Sequence, residues 1–253
     1  MLQQIVPKGR LNYLDAQVQA DGGMFAWAAC GRLTGFSSLA VKHLPEVNNL
    51  SASVCADQSS GWAQIASYDA SVDIKGVFKS AIQIDQLAGL VSWHQSDAGL
   101  DIVSEHLQIN TPHVKTASRI KLNLPLDNSP SSIDLQTTLG KAEAQYTPQY
   151  LPLGIMDHSV VAWLKGAFKK GYLEQGGILM RGSLSGFPYR DNSGVFQFLG
   201  SAKDIDLHYA EGWPDVEQAD AEVEVRNQGL QIRSERGSIA GNNVSLAVVE
   251  MKD

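Results

Sequence analysis

Strict alternation of apolar and polar residues recurs along this chain: Ala81-Ile82-Gln83-Ile84-Asp85, Leu107-Gln108-Ile109-Asn110, Ile120-Lys121-Leu122-Asn123-Leu124 and Ile133-Asp134-Leu135-Gln136-Thr137. A period of two fits a β-strand with one wet face and one apolar face, and it does not fit an amphipathic helix. The same pattern returns in Ala221-Glu222-Val223-Glu224-Val225-Arg226 and Leu230-Gln231-Ile232-Arg233-Ser234, joined by the turn Asn227-Gln228-Gly229. Polar turns separate the segments: Asp21-Gly22-Gly23, Asp57-Gln58-Ser59-Ser60-Gly61, Gln95-Ser96-Asp97-Ala98-Gly99, and Asp127-Asn128-Ser129 between Pro125 and Pro130. Strands at such short intervals, joined by turns and not by helices, predict a mainly β, mostly antiparallel architecture.

One helix interrupts the pattern, near 158–170. Asp157 caps it, Val160, Trp163, Leu164, Ala167 and Phe168 fall on one face, and Gly171 takes the left-handed position after its end. Lys169 and Lys170 then lie in its last turn, where cations suit the macrodipole.

Several function classes are excluded. A formal charge of −7 without a basic stripe argues against nucleic acid. The longest uncharged apolar run, Met24 to Cys30, is too short to span a bilayer, and the start carries no signal-peptide pattern. The histidines at 43, 94, 106, 113, 158 and 208 show no ligand spacing, so no metal is expected, and no cofactor motif is present. Gly182-Ser183-Leu184-Ser185-Gly186 has leucine where a nucleophile elbow needs serine. Asp204, Asp206, Glu222 and Glu224 read as solvated strand faces, and Asp191-Asn192-Ser193-Gly194 as a turn. The chain therefore reads as non-enzymatic. Cys30 and Cys55 can pair where neighbouring strands meet, but they read as two unrelated buried thiols. Trp27, Trp62, Trp93 and Trp163 read as core residues, Trp213 as the residue that pins its turn, and Phe187-Pro188-Tyr189 as an aromatic latch at a turn.

Pro45 to Val54 aligns without gaps on Pro214 to Val223, and a polar turn ending in Gly61 or Gly229 follows each. The chain is expected to hold the end of one repeat and spacer strands over 1–147, then a second repeat with the helix over 148–253, in one continuous sheet.

The order Tyr150-Leu151-Pro152-Leu153-Gly154-Ile155, the Trp163-Leu164 helix, Phe187-Pro188-Tyr189 and Tyr209-Ala210-Glu211-Gly212-Trp213-Pro214 resembles the repeat of the AsmA-like proteins of Gram-negative envelopes, YhdP type. Periodicity alone leaves the apolar strand face three destinations: a second sheet, a barrel interior or a lipid-lined groove. The resemblance implies the third, in an elongated, curved sheet with an apolar concave face. It also implies a periplasmic segment of an inner-membrane-anchored protein that carries phospholipid towards the outer membrane. Groove-lining residues are then Ile82, Ile84, Leu107, Ile109, Leu122, Leu124, Ile133, Leu135, Val223, Val225, Leu230 and Ile232, with Phe187, Tyr189, Tyr209 and Trp213 as turn aromatics. Expected partners are phospholipid, neighbouring repeats of a longer chain and envelope proteins. The alternative is a β-sandwich-like module that holds protein partners or glycans by its aromatic turns.

Overall fold

A computed structural model describes residues 6–21, 24–40, 45–127 and 129–252. Gly22 and Gly23 of the first expected turn, His43 and Asn128 lie outside the described residues. The first strands are β1 (Lys8–Asp21), β2 (Met24–Ser38), β3 (Glu46–Asp57), β4 (Ser60–Asp73), β5 (Ile82–Gln95), β6 (Gly99–Asn110), β7 (Lys115–Pro125) and β8 (Ser132–Leu139). Then come β9 (Ala142–Glu143), the helices α1 (Thr147–Tyr150) and α2 (His158–Ala167), β10 (Phe168–Ser183), β11 (Val195–Leu207), β12 (Val216–Arg226), β13 (Gly229–Ile239), β14 (Asn242–Val244) and β15 (Ala247–Met251). All fifteen strands join one open antiparallel sheet in the order β1 to β8, then β10 to β14, with β9 beside β10 and β15 beside β13. Among the described residues, no helix is long and apolar enough to cross a membrane.

The strands are longer than the alternating segments predict. Ile82-Gln83-Ile84 and Gly89 to His94 belong to one strand, β5, although their apolar residues are out of phase. Ile84 and Leu87 lie three apart yet pack in one cluster with Ala70. Asp69, between Tyr68 and Ala70 on the neighbouring strand, has φ 51°. A residue in that region swings the chain round, so the apolar phase changes while pairing continues. Val195 to Leu207 likewise form one strand, and β10 begins directly at the end of α2, where no strand was expected.

The helix differs from expectation at its end and on its face. Asp157 caps it as expected, its carboxylate accepting from the Ser159 N–H at 2.8 Å. It stops at Ala167, and Gly171 (φ 99°) sits inside β10 where it approaches the Asp204 carbonyl. Lys169 and Lys170 are therefore strand residues. The buried side chains are Val161, Leu164 and Ala167, while Val160 and Trp163 are exposed. The ten-residue helix turns its narrow buried stripe one position away from the tryptophan.

Two compact units divide the chain: residues 1–75, 81–112 and 117–134, and residues 76–80, 113–116 and 135–253. The core of the first is Ala70, Ile84 and Leu87 with Ile65, Val72, Ile82, Leu107 and Ile109 packed on it. The core of the second is Ala144, Ile205 and Ala219 with Phe168, Leu207 and Val216.

Each unit contains the same ladder. Leu33↔Ala52, Phe36↔Leu50 and Ser38↔Val47 join β2 to β3, with a register break between successive pairs. Ala202↔Ala221, Ile205↔Ala219 and Leu207↔Val216 join β11 to β12 with breaks at the same points. Lys8↔Ser37, Arg10↔Thr34 and Leu11↔Leu33 of β1 and β2 recur as Lys170↔Asp206, Tyr172↔Lys203 and Leu173↔Ala202 of β10 and β11. The echo between Pro45–Val54 and Pro214–Val223 thus extends to bulge positions in three consecutive strands.

Candidate functional site

Directly paired residues of antiparallel strands project from the same face of a sheet, so the register assigns each side chain to a face. In the first unit one set of rows runs Leu11–Leu33–Ala52–Ile65–Gly89–Leu107, then Leu14–Gly31–Val54–Ala63–Val91, then Ala16–Ala29–Ala56–Gly61–Trp93–Ile102. The opposite face carries Tyr13–Arg32–Ser53–Gln64 and Asp15–Cys30–Cys55–Trp62–Ser92. One face is apolar and the other mixed to polar. The bare backbone of Gly61 lies under the Trp93 indole, where a Cβ would collide with the ring, so glycine is required beneath it.

The second unit repeats the segregation. Ile178–Phe198–Val225–Leu230–Met251 and Gly176–Gly200–Val223–Ile232–Val249 form adjacent apolar rows across β10 to β13 and β15. The reverse face carries Gly177–Leu199–Glu224–Gln231–Glu250 and Gln175–Ser201–Glu222–Arg233.

The expected lining residues fall into three groups. Ile82, Ile84, Leu107 and Ile109 come together around one cluster, in which Ile84 is only 4% exposed. Val223, Val225, Leu230 and Ile232 occupy the two rows just described. Leu122 and Leu124 lie half-buried on β7, and Ile133 and Leu135 half-buried on β8. Apolar positions on β1 and β2 are more accessible than these and were not singled out from the sequence. Leu14 is 59% and Val18 64% exposed, and Leu11 and Trp27 are also exposed. Their signal is obscured by the register shift between Leu11 and Tyr13, which puts Leu11 and Leu14, three apart, on one face. Both leucine tips reach towards Gly31.

Four tryptophans depart from the expected core role. Trp27 and Trp62 are exposed and Trp93 is half-buried, because a single sheet layer cannot enclose an indole from both sides, and Trp163 is exposed on α2. The turn aromatics separate. Tyr189, after the cis Phe187–Pro188 bond, is 0% exposed and sits in a slot left by Gly182, Gly186 and Gly194, with Phe187 edge-on at 6.2 Å. Its hydroxyl is buried without a partner, and burial pushes the phenol pKa up. Tyr209 and Trp213 stay 53% and 65% exposed, stacked edge to face at 5.9 Å.

Cys30 and Cys55 form a disulfide, correcting the expectation of two unrelated buried thiols. They are directly paired on β2 and β3, and Cys30 is exposed on the polar face. Trp62 pairs with Cys55, and a cavity of about 390 Å³ at this end is lined by both cysteines, Trp62 and Trp93.

Asp204 and Asp206 are more than solvated surface. Asp206 accepts from the Gln218 N–H at 3.0 Å and Asp220 from the Asp204 N–H at 3.1 Å, satisfying donors freed by the bulge. In the first unit the matching N–H groups of Asn49 and Gly35 donate to the Ser37 and Ser51 hydroxyls at 3.1 and 3.2 Å. The carboxylate version recruits cations: Lys170 to Asp206 at 3.4 Å, Lys203 to Asp220 at 3.6 Å, and Arg236 to both Asp204 and Asp220.

Comparison with known proteins adds an independent line. The chain is 21% identical over 245 residues to the intermembrane phospholipid transporter YhdP of Escherichia coli (strain K12), an alignment covering 94% of this chain and 19% of that protein. The chain thus spans about a fifth of the length of that relative. No solved structure matches. The profile of the YhdP protein family matches residues 1–253. The match covers the whole length of the chain, and the chain belongs to the YhdP protein family.

Proposed function

We propose that this chain is a non-enzymatic segment of a periplasm-spanning, inner-membrane-anchored lipid-transfer protein, and that phospholipid acyl chains travel along its apolar face between the inner and outer membranes. The observation that carries this reading is that one face of each unit is apolar row after row, and at β1 and β2 that face is open to solvent at Leu14 and Val18. Exposing an acyl methylene to water costs about 0.8 kcal/mol, so a whole chain faces a penalty of order 10 kcal/mol in an aqueous compartment. A lining of leucine, valine and alanine offsets it without polar hooks that would trap the lipid. The family match and the named activity of the relative support the same reading. On this reading Leu107, Ile109, Leu122, Leu124, Ile133, Leu135, Val223, Val225, Leu230 and Ile232 contribute to the lining, together with Leu11, Leu14 and Val18. Ile82 and Ile84 support it from the cluster below.

The test is lipid capture. Purified protein is extracted and analysed by mass spectrometry, and Leu14→Glu with Val18→Glu is compared with the unaltered chain. Co-purifying phospholipid that the double variant loses, with its circular dichroism unchanged, supports the proposal. Equal lipid in both, or none in either, overturns it. The second reading, a module that holds proteins or glycans, draws on exposed Tyr209 and Trp213 but loses Tyr189, which is sealed.

A further inference from the structure

The apolar face of the second unit ends in an organised aromatic rim. Its last row is Phe168–Leu207–Val216, packed on Ile205 and Ala219. Trp163 of α2 meets the Phe168 ring edge to face at 6.2 Å, and its indole N–H donates to the Tyr209 carbonyl at 2.8 Å. The His208 N–H donates to the Ala167 carbonyl at 2.8 Å, and Tyr209 stacks on Trp213. The 208–214 loop is therefore fixed to the helix, yet Trp163, Tyr209 and Trp213 all remain exposed. Beside the rim, the Asp215 carboxylate holds Lys169 Nζ at 2.6 Å through one oxygen and His208 Nδ1 at 2.7 Å through the other.

Within a few residues the surface thus passes from aliphatic to aromatic to ionic, the order met along a phospholipid from acyl chain through glycerol ester to headgroup. Indole and phenol rings favour that boundary because they present an apolar body and a polar edge. The counterpart loop of the first unit, which leaves the matching Ser38↔Val47 pair, has Leu39 and Ala40 where the second has His208 and Tyr209. Its acidic residue Glu46 is held by Lys75 instead. Among the described residues, the His208–Tyr209 part of the rim and the Lys169–Asp215–His208 contacts have no counterpart at the matching positions 39, 40 and 46 of the first unit.

We propose that Trp163, Tyr209 and Trp213 hold the glycerophosphate region of a phospholipid whose acyl chain lies on the Phe168–Leu207–Val216 row, with Lys169, Asp215 and His208 facing its headgroup. This rests on the acyl-chain reading above and adds to it a station that selects lipids bearing a headgroup. Lys169 suits a phosphate, and Asp215 suits an ammonium.

The test uses the whole 253-residue chain, freed of lipid and offered dioleoylphosphatidylethanolamine or dioleoylglycerol in donor vesicles. The Tyr209→Ala/Trp213→Ala variant should take up the phospholipid roughly tenfold less, the size of loss expected for removing anchoring aromatics, and dioleoylglycerol as before. Trp213→Ser alone is a milder second variant and should lose phospholipid uptake in part, should the double variant melt early. Equal loss of both lipids, or no loss, overturns the rim while leaving the acyl-chain reading in place. An unaltered chain that takes up neither lipid overturns both.

Discussion

Asn49 of β3 and Gln218 of β12 occupy the same point of the same ladder, each with left-handed backbone, φ 58° and 50°. Their N–H groups donate to Ser37 and Asp206, and the neighbouring bulge donors, Gly35 and Asp204, are satisfied by Ser51 and Asp220. One backbone problem is solved twice, by hydroxyls in one unit and carboxylates in the other.

Removing such an acceptor strands a bulge N–H. Asp220→Ala should lower unfolding free energy by about 1–3 kcal/mol, while Asp220→Ser, which imports the other unit's solution, should recover most of the loss. Urea denaturation of the two variants measures this. Equal loss in both would show that the ion pairs with Lys203 and Arg236 matter and the cap does not.

The Cys30–Cys55 bond closes a loop with a sequence separation of 25. The double Cys30→Ser/Cys55→Ser variant should be less stable by about 3 to 4 kcal/mol if the bond acts by restricting the unfolded chain. Thiol titration of the denatured protein should find two thiols only after reduction. Comparing denaturation midpoints with and without reductant checks the energy without mutation.

Burial separates two apolar residues that the alternation treats alike. Ile84→Ala should cost about 2–4 kcal/mol because Ala70 and Leu87 cannot close over the hole, whereas Leu14→Ala should change stability by less than about 0.5 kcal/mol. Chemical denaturation distinguishes them. A comparable loss at Leu14 would mean that the β1 face is covered in solution.

Tyr189 fills its glycine slot but leaves a hydroxyl unpaired. Tyr189→Phe should therefore be neutral or raise stability by up to about 1 kcal/mol, while Tyr189→Ala should cost about 3–5 kcal/mol. Thermal melts of both variants suffice. Destabilisation by Tyr189→Phe would reveal an acceptor for the hydroxyl.

The Asp215 carboxyl is held below the ordinary carboxylate range, first by the hydrogen bond from Lys169 and then by that from His208. A depressed folded-state pKa contributes stability above the unfolded value, and that contribution disappears as pH falls through the folded one. Asp215→Asn should melt lower than the unaltered chain at neutral pH, and the gap should close below about pH 3.9, the ordinary aspartate value. Melting curves from pH 7 downward check this. A gap that persists at the acid end would assign the effect to packing.

Much of this protein was legible as sequence because period-two alternation is a local property. Val223, Val225, Leu230 and Ile232 share a face as soon as their hairpin forms, and Asp157 caps its helix with a neighbour two residues away. The ordered motifs from Tyr150 to Pro214 pointed to the family for a similar reason, since each is a short string that can be read without its partners. Tertiary structure alone decided where the alternation changes phase. Leu11 shares a face with Leu14 only because a bulge slips β1 past β2, and Ile84 packs with Leu87 opposite the left-handed Asp69, where β4 and β5 stay in register. It also decided that Cys30 meets Cys55, that α2 gives way to β10 at Phe168, and that Trp213 stays in solvent while Tyr189 is sealed. The pairing of each strand with its neighbour, and the packing of loops on helix and glycine, set these, and a single strand's pattern carries no record of what lies across from it.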